Sequence, residues 1–344
     1  MLNNTLDPLK TSSYDYSLPK ELIAIKPVHP ADCAKLLVYN RKDNSITHTT
    51  FKNLLQYLPD NISIFLNDTK VIKARIFGIK SSGGKAELLF NKPMPNDEYL
   101  CLIRGKVHVG STISFDKNLQ AEVTVLNDDG SRLVKFYKDE KMLDFISLVD
   151  ILNEIGHLPL PPYINREDEE SDNKDYQTLF AKKYGAVAAP TASLHFTPEL
   201  FKDLENKYDI NYLTLHVGAG TFKPVDAVDI LEHPMHSEYF EISNEANKSL
   251  QTSKKVLAVG TTVTRTIEYN ARNQKTFGEC DLFLNPSNKP IKVDHLLTNF
   301  HLPKSTLIML IASFVGIEKT MEIYDIAVKE KYRFFSYGDG MLII

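Results

Sequence analysis

Four side chains capable of acid–base chemistry lie in short segments bounded by glycine or proline: His195, His216, His236 and Glu238. Imidazole titrates near neutral pH, and a neighbouring carboxylate raises its basicity. If residues 236–238 are extended, alternation puts His236 and Glu238 on one face, where the carboxylate orients the imidazole as a general base. A plain surface pair is the alternative. These residues predict proton abstraction, with His195 and His216 as the other candidate bases.

The segment around Pro190 combines small residues with two hydroxyl groups. Residues 184–196 read YGAVAAPTASLHF, in which Thr191 and Ser193 carry the hydroxyls. Small side chains let a ligand approach the backbone, and loops on a rigid scaffold often carry function. The segment therefore predicts a binding loop. A tight crossing of two buried segments is the alternative.

Residues 256–265 read as a strand, a turn and the start of a helix. Free N–H groups at a helix start attract an anion, and Arg265 is the predicted charge partner. A carboxylate or a phosphate would suit the same place. Ordinary capping by Thr261 or Thr262 is the alternative.

The histidine spacing elsewhere does not predict a metal site. His233 and His236 would meet on a helix, but Pro234 between them favours an extended segment, and no cysteine–histidine cluster supports a site. His301 is a candidate for the wall of a binding pocket. Lys304 and Ser305, just after it, resemble a helix cap.

The composition is that of an ordinary globular protein, with 344 residues, 43% hydrophobic and 24% charged. The net charge of −4 gives no global attraction to nucleic acid, so such a contact needs a local basic patch. The three cysteines share no CxxC spacing, which fits a reducing compartment. The longest apolar run, residues 307–317, is too short to span a bilayer. We expect a cytoplasmic protein that contacts no membrane.

The hydrophobic pattern changes twice along the chain. Short apolar runs separated by turn signals predict an antiparallel barrel, and they occupy residues 74–79, 86–90, 99–103, 112–115, 122–126 and 133–136. From residue 176 onward strands and helices alternate, as in a layered α/β sheet. The predicted strands there are 212–216, 256–259, 281–284 and 341–344, and the predicted helices are 198–207, 244–253, 262–273, 305–314 and 319–331.

Buried strands are predicted before the barrel as well, at residues 36–39 and 62–66. The predicted fold is therefore α/β: a layered α/β sandwich domain, residues 1–70 and 154–344, with an inserted antiparallel β-barrel domain, residues 71–153.

Eight segments, in this order, closely resemble the S-adenosylmethionine:tRNA ribosyltransferase-isomerase family of queuosine biosynthesis. They are YDYSLPKELIA (14–24), LNDTKVIKAR (66–75), the binding loop (184–196), LTLHVGAGTF (213–222), HPMHSE (233–238), AVGTTVTR (258–265), TNFHLPKS (298–305) and YRFFSYGD (332–339). The resemblance implies the same layout, a sandwich with a barrel insert.

The resemblance implies transfer and isomerisation of the ribosyl group of S-adenosylmethionine onto 7-aminomethyl-7-deazaguanine at the tRNA wobble position. The product is epoxyqueuosine, with adenine and methionine released. S-adenosylmethionine is a consumed substrate, and no other cofactor or metal is required. The partner is a tRNA with a GUN-type anticodon, and we expect a monomer.

With this family in view, the turn at residues 216–221 predicts a cradle for adenosine or ribose, formed by Gly218, Gly220 and Thr221. A plain glycine turn is the alternative, because the phosphate-loop lysine and the third glycine of a dinucleotide fingerprint are missing. Basic residues are the candidate RNA contacts, and they are Lys73, Arg75, Arg104, Lys106 and Arg333.

The sequence departs from the family pattern at Ser193, where glycine is usual, and in Pro286-Ser-Asn288 and Gly340. Two rival classes stay open. One is a non-catalytic tRNA-binding protein, and the histidines in four glycine- or proline-bounded loops speak against it. The other is a nucleotide-dependent dehydrogenase, which the missing third glycine disfavours.

Overall fold

A computed structural model describes residues 6–222 and 224–344, without the side chains of residues 221 and 222. The strands in chain order are β1 Lys35–Asn40, β2 Ser45–Thr50, β3 Ile62–Asn67, β4 Thr69–Val71, β5 Arg75–Lys80, β6 Lys85–Met94, β7 Glu98–Arg104, β8 Thr112–Ser114, β9 Leu119–Leu126, β10 Ser131–Lys138, β11 Lys141–Met142, β12 Lys183–Ala186, β13 Asp209–Leu215, β14 Glu238–Ile242, β15 Lys255–Val259, β16 Phe277–Cys280, β17 His295–Asn299 and β18 Gly340–Ile343.

The α-helices are α1 Phe145–Ile155, α2 Asp172–Asp175, α3 Pro198–Lys207, α4 Asn244–Leu250, α5 Thr261–Asn273, α6 Thr306–Val315 and α7 Ile317–Lys329. Side chains fix several of their starts. Thr197 caps α3, Ser243 caps α4 and Ser305 caps α6, each accepting a bond from a backbone N–H of the first turn. The Ser305 cap agrees with the prediction from residues 304 and 305.

A nine-stranded mixed sheet has the order β16-β14-β13-β3-β15-β17-β18-β1-β2. Its centre is parallel, since β3 pairs in parallel with β13 and β15, and β15 with β17. Strand β3 is buried along its whole length, as expected for a strand covered on both faces. Phe65 packs in one core with α5, whereas Ile64 and Leu66 pack in another with α3. This is the predicted layered sandwich.

Six antiparallel strands close into a barrel in the order β10-β7-β6-β5-β8-β9, and β9 pairs back with β10. Alternate side chains fill it, and Leu148 and Leu152 of α1 belong to the same core. A two-stranded parallel sheet pairs β4, which directly precedes the barrel strands in the chain, with β12. All six predicted barrel strands are present, and the prediction of the fold class is confirmed. The exact domain boundaries stay a prediction.

The predicted strand at residues 281–284 is wrong, because the strand is β16, Phe277–Cys280. The run of apolar residues at 282–284 suggested a strand, but the backbone there bonds to a side chain instead. Arg265 donates to the carbonyl oxygens of Cys280 at 3.2 Å and Leu282 at 3.1 Å. The strands that were not predicted are β2, β4, β11, β12, β14 and β17. In the described part of the chain, no helix combines the length and the apolar character that crossing a membrane requires.

Candidate active site

The carboxyl ends of the four central parallel strands lie side by side at one edge of the large sheet. Asn67 ends β3, while His216, Gly260 and Phe300 directly follow β13, β15 and β17. Ligands of open α/β sheets bind at such an edge, because the loops that leave it open a crevice. The predicted segments therefore meet in one place.

A buried amide joins three of these elements. Asn67 Nδ2 donates to the Leu215 carbonyl at 2.9 Å and to Thr262 Oγ1 at 3.3 Å. Asn67 Oδ1 accepts from the backbone N–H groups of Thr69 and Leu215, both at 3.1 Å. The ends of β3 and β13 and the start of α5 are thus held in fixed register.

The start of α5 faces this crevice without a side-chain cap. Gly260, at φ +98°, turns the chain from β15 into the helix, a conformation that favours glycine. Thr262 is engaged by Asn67 and does not cap its own helix. The uncapped N–H groups and the positive end of the helix form a place for an anion.

The sequence predicts Arg265 as the charge partner of this helix start, but the structure gives Arg265 another partner. It lies one turn further along α5 and pairs with Glu238 instead. Burial lowers the pKa of Arg265, but the attraction of Glu238 outweighs burial and raises it overall. The guanidinium therefore stays charged and belongs to a neighbouring part of the site.

The binding loop packs against the end of β17 through two side-chain bonds to Asn299. Thr191 Oγ1 donates to Asn299 Oδ1 at 2.9 Å, and Asn299 Nδ2 bonds to His195 Nε2 at 3.1 Å. His195 is buried behind Asn299 and packs against Phe51, with ring centroids 4.9 Å apart and the rings tilted by 40°. His195 bonds to Asn299 from outside the lining of the cavity described next, and its predicted role as a base stays a prediction.

One cavity lies between the start of α5 and the binding loop. Four predicted binding residues line it: Thr191, Thr261, Thr262 and His301. Its other polar lining residues are Thr298, Asn299, Ser305 and Ser336. Ser193 is buried outside the lining, and its Oγ has no hydrogen-bond partner among the described residues. The extra side chain at this position therefore leaves the cavity open.

A second cavity lies between the sheet and the barrel. Five residues that the sequence predicts for the site line it: Gly218, Gly220, His236, Glu238 and Arg265. The Glu238 carboxylate accepts from the Gly218 N–H at 3.0 Å and pairs with Arg265. Asn91 of β6 accepts from the Ala219 N–H at 3.1 Å, so the barrel helps to fix the glycine turn.

His236 and Glu238 share this cavity, as alternation predicted, but in different surroundings. His236 is exposed, whereas Glu238 is buried against Arg265. The His236 ring lies on Gly220, where a Cβ would come within 2.7 Å of it. The side chain of Thr221, a predicted binding residue, lies outside the described part of the chain.

His216 faces a neighbouring cavity that also contains Gly218 and Glu238. Its Nδ1 bonds to Thr69 Oγ1 at 2.8 Å, and its ring stacks on Tyr239 with centroids 5.9 Å apart. Gly185, at φ +153°, also packs against the ring. His216 is therefore closely held, with its orientation set by three neighbours.

Burial keeps three of these histidines neutral at physiological pH. Burial, then the charge of Arg333, lowers the pKa of His195 to about 4. Burial is the main cause that lowers the pKa of His216 to about 4, and the positive charge of Lys183 adds to it. Burial alone lowers the pKa of His301 to about 3. All three can accept protons or hydrogen bonds without carrying charge at rest.

These depressed pKa values predict a loss of stability in acid. An unfolded histidine has a pKa of about 6.5, so below that pH the unfolded chain binds protons that the folded chain does not. The free energy of unfolding should therefore fall as pH drops from about 6.5 towards 4, by up to about 1.4 kcal/mol per pH unit for each histidine. Denaturant titrations at several pH values measure this. The free energy of unfolding of His301→Gln should vary less steeply with pH in acid than that of the unaltered protein, by the equivalent of about one proton, and the two should differ by a constant amount above pH 7. Equal slopes would contradict a neutral His301 in the folded state.

The sequence matches known proteins along nearly its whole length. Residues 11–343 match the family described as "Queuosine biosynthesis protein". The chain belongs to this family. Members named S-adenosylmethionine:tRNA ribosyltransferase-isomerase are 73% identical in Aliarcobacter butzleri and 61% identical in Nitratiruptor sp.. Both comparisons cover 98% of this chain and 100% of the relative.

A solved structure supports the family assignment. It is the crystal structure of S-adenosylmethionine tRNA ribosyltransferase from Thermotoga maritima, with a TM-score of 0.54 and 33% identity over 96% of this chain and 100% of that one. The relatives carry enzyme names. The family therefore favours an enzyme over the non-catalytic tRNA-binding protein and the dehydrogenase that the sequence left open.

The predicted RNA contacts of this family member divide into two groups. Arg75 and Arg104 line a third cavity, which shares Leu102 and Ala219 with the second. Both arginines bond to Glu87, at 2.8 and 3.3 Å, and Arg104 is 83% exposed. The third cavity, which forms a groove on the barrel, therefore adjoins the second cavity.

The remaining basic residues have other positions. Lys73 is partly buried just before β5, and Lys106 is exposed after β7. Arg333 is engaged in the main domain, donating to the carbonyls of Lys26 at 3.1 Å and Tyr337 at 2.9 Å. Arg333 thus helps to fix the final segment of the chain, and its RNA contact stays a prediction.

Sequence reasoning did not assign Asn67, Asn91 or Asn299 to the site. The available signal was a polar residue at the end of an apolar strand, which marks the functional edge of a parallel sheet for Asn67 and Asn299. Asn91 gave no such signal, because it lies in a barrel strand and reaches another domain.

In the described chain, no group of three or more histidine, cysteine or acidic side chains could hold a metal ion.

Proposed function

We propose that this chain transfers and isomerises the ribosyl group of S-adenosylmethionine onto 7-aminomethyl-7-deazaguanine at the wobble position of a tRNA. The product is epoxyqueuosine-tRNA, with adenine and methionine as the released products. The observation that carries the proposal is the crevice at the strand edge, where an uncapped helix start faces a small-residue loop. Membership of the queuosine biosynthesis family supports it.

The start of α5 takes the methionine carboxylate rather than an RNA phosphate. Its N–H groups face the cavity beside the binding loop, whereas Arg75 and Arg104 line the groove on the barrel. A free carboxylate can enter a small-residue cavity, while the RNA backbone follows the basic groove. The glycine turn at residues 218–220 lies between the two and cradles the ribose.

The chemistry begins at the acidic C5′ hydrogen beside the sulfonium. His216 and His236 are the candidate bases, because both line cavities next to Glu238. His195 is a positioning residue that acts through Asn299. Glu238 holds Arg265 and the Gly218 N–H, and so fixes the glycine turn.

The other features of the proposal follow the family. S-adenosylmethionine is consumed as a substrate, and no separate cofactor takes part. The tRNA has a GUN-type anticodon that carries the deazaguanine precursor. The protein works as a monomer in the cytoplasm, where both substrates are available.

Incubation with S-adenosylmethionine and tRNA carrying the precursor base tests this function. Nucleoside mass analysis should find epoxyqueuosine, and chromatography should find free adenine and methionine. Methyl transfer would give S-adenosylhomocysteine instead. That product as the main one would rule out the proposed reaction.

The groove on the barrel predicts salt-dependent RNA binding. Arg104→Ala should weaken tRNA binding by roughly 1 kcal/mol or less and reduce the salt slope by about one, because the exposed guanidinium reaches phosphate. Binding isotherms at several salt concentrations measure both. Lys329→Ala, on α7, is the matched control, since Lys329 is 71% exposed but lies outside the groove. Equal slopes for the two variants would place the RNA elsewhere.

A further inference from the structure

The backbone of Phe335 is held in a conformation that bulky residues rarely adopt. Its φ is +73°, in the left-handed region. Its N–H donates to the Phe300 carbonyl at 3.1 Å, and its carbonyl accepts from the Gly338 N–H at 2.9 Å. Such a conformation persists only where the surrounding structure imposes it, and it is concentrated at ligand sites.

This conformation separates the roles of two adjacent phenylalanines. Phe334 is fully buried and packs on Phe300, with ring centroids 5.3 Å apart. Phe335 lines the cavity at the start of α5. Its ring stacks on Tyr163 with centroids 4.1 Å apart and an interplanar angle of 26°. Phe335, which is 7% exposed, therefore belongs to the wall of the cavity and is backed there by the Tyr163 ring.

The backing ring is itself fixed. The Tyr163 hydroxyl accepts from the Ser336 N–H at 3.0 Å and donates to Ser336 Oγ. Asp172 bonds to Tyr337 at 3.0 Å and forms a bidentate pair with Arg166. The segment that carries Phe335 is thus tied to the residues just before and within α2.

Asn299 contributes a polar edge to the same cavity. Its bonds with Thr191 and His195 use one lone pair and one amide hydrogen, and an amide has two of each. These bonds also fix the plane of the amide. Asn299 adjoins Phe300, whose carbonyl bonds to Phe335, so the amide and the ring belong to neighbouring parts of one wall.

We propose that this wall binds the adenine of S-adenosylmethionine, with the base stacked on Phe335 and its N6 and N7 edge read by Asn299. The inference rests on the proposed function and adds the specificity-determining residues for the leaving base. Aromatic rings stack purines, and an asparagine amide matches the donor and acceptor at N6 and N7 of adenine. The Asn299 N–H directed at N7 also stabilises adenine as it leaves.

The other purine-like ring in the reaction fits this edge poorly. A 7-deazaguanine carries carbon in place of N7 and an oxygen in place of the N6 amino group. It offers neither the acceptor nor the donor that a fixed amide would bind. The chemistry of Asn299 therefore selects adenine over the RNA base.

Steady-state kinetics of Phe335→Leu test the stacking. The KM for S-adenosylmethionine should rise about tenfold or more, while the KM for the precursor tRNA stays unchanged. Phe335→Tyr keeps the ring and should restore most of the affinity. Phe277→Leu is the matched control, because Phe277 is 67% exposed and lies outside this cavity. A rise in the KM for tRNA alone, or no rise in a folded variant, would overturn the inference.

A second measurement uses the unaltered protein and does not depend on the folding of a variant. The analogue of S-adenosylmethionine with carbon at position 7 keeps the stacking surface but loses the acceptor. Its KM should be about tenfold higher than that of S-adenosylmethionine. Equal KM values would overturn the role of Asn299. Epoxyqueuosine formation by the unaltered protein is checked first, so that failure of the proposed function is separated from failure of this inference.

Discussion

Glu238→Gln should lower the free energy of unfolding by roughly 3–5 kcal/mol, because it removes one partner of a buried ion pair. Glu238 and Arg265 are 5% and 9% exposed, and Arg265 would keep its charge without the carboxylate. Denaturant titration or thermal melting measures the loss.

The double variant Glu238→Gln/Arg265→Met is the matched control. It removes the buried charge together with its partner, so it should cost less than the sum of the two single variants. A Glu238→Gln protein with an unchanged melting temperature would show that the pair contributes nothing to stability.

The single variant Glu238→Gln also separates the structural role of Glu238 in the ion pair from its predicted role in tuning His236. Turnover measured well below the lowered melting temperature should fall about a hundred- to ten-thousand-fold if Glu238 also tunes His236 as the base. Near-normal turnover at that temperature, with lowered stability, would make the pair purely structural. His216 would then be the stronger candidate for the base.

Gly185→Ala should reduce turnover by about a hundredfold or more, because it displaces His216. A Cβ at position 185 would lie 2.6 Å from His216 Nε2 and Cδ2. The ring cannot stay in place and keep its bond to Thr69. Turnover with saturating substrates measures the effect.

Gly278→Ala provides the matched control for backbone strain. Gly278 has φ +131° against +153° for Gly185, but a Cβ there would have nothing within 4 Å. Both variants should lose some stability from the unfavourable φ, and only Gly185→Ala should lose turnover. Full turnover in a folded Gly185→Ala protein would exclude His216 as the base.

Much of the fold was predictable from the sequence because the signals are local. The alternating runs of the barrel strands and the apolar run of β3 fix strand positions within a few residues. Strands β14 and β17 were missed, since Glu238, His295 and Asn299 interrupt their apolar patterns with polar groups. Those polar residues are buried only because the neighbouring strands and helices cover them.

The sequence by itself determined the layered α/β sandwich with its barrel, the family, and the loops that contain the site. Only the tertiary structure decided which side chains meet. Asn299 bonds to His195 across 104 residues, and Arg265 pairs with Glu238 across 27. Neither contact joins neighbouring segments of the chain, so both depend on how the strands, helices and loops are arranged around the sheet. Periodicity reports the face of one element, whereas the partner of a side chain is set by how the elements are arranged.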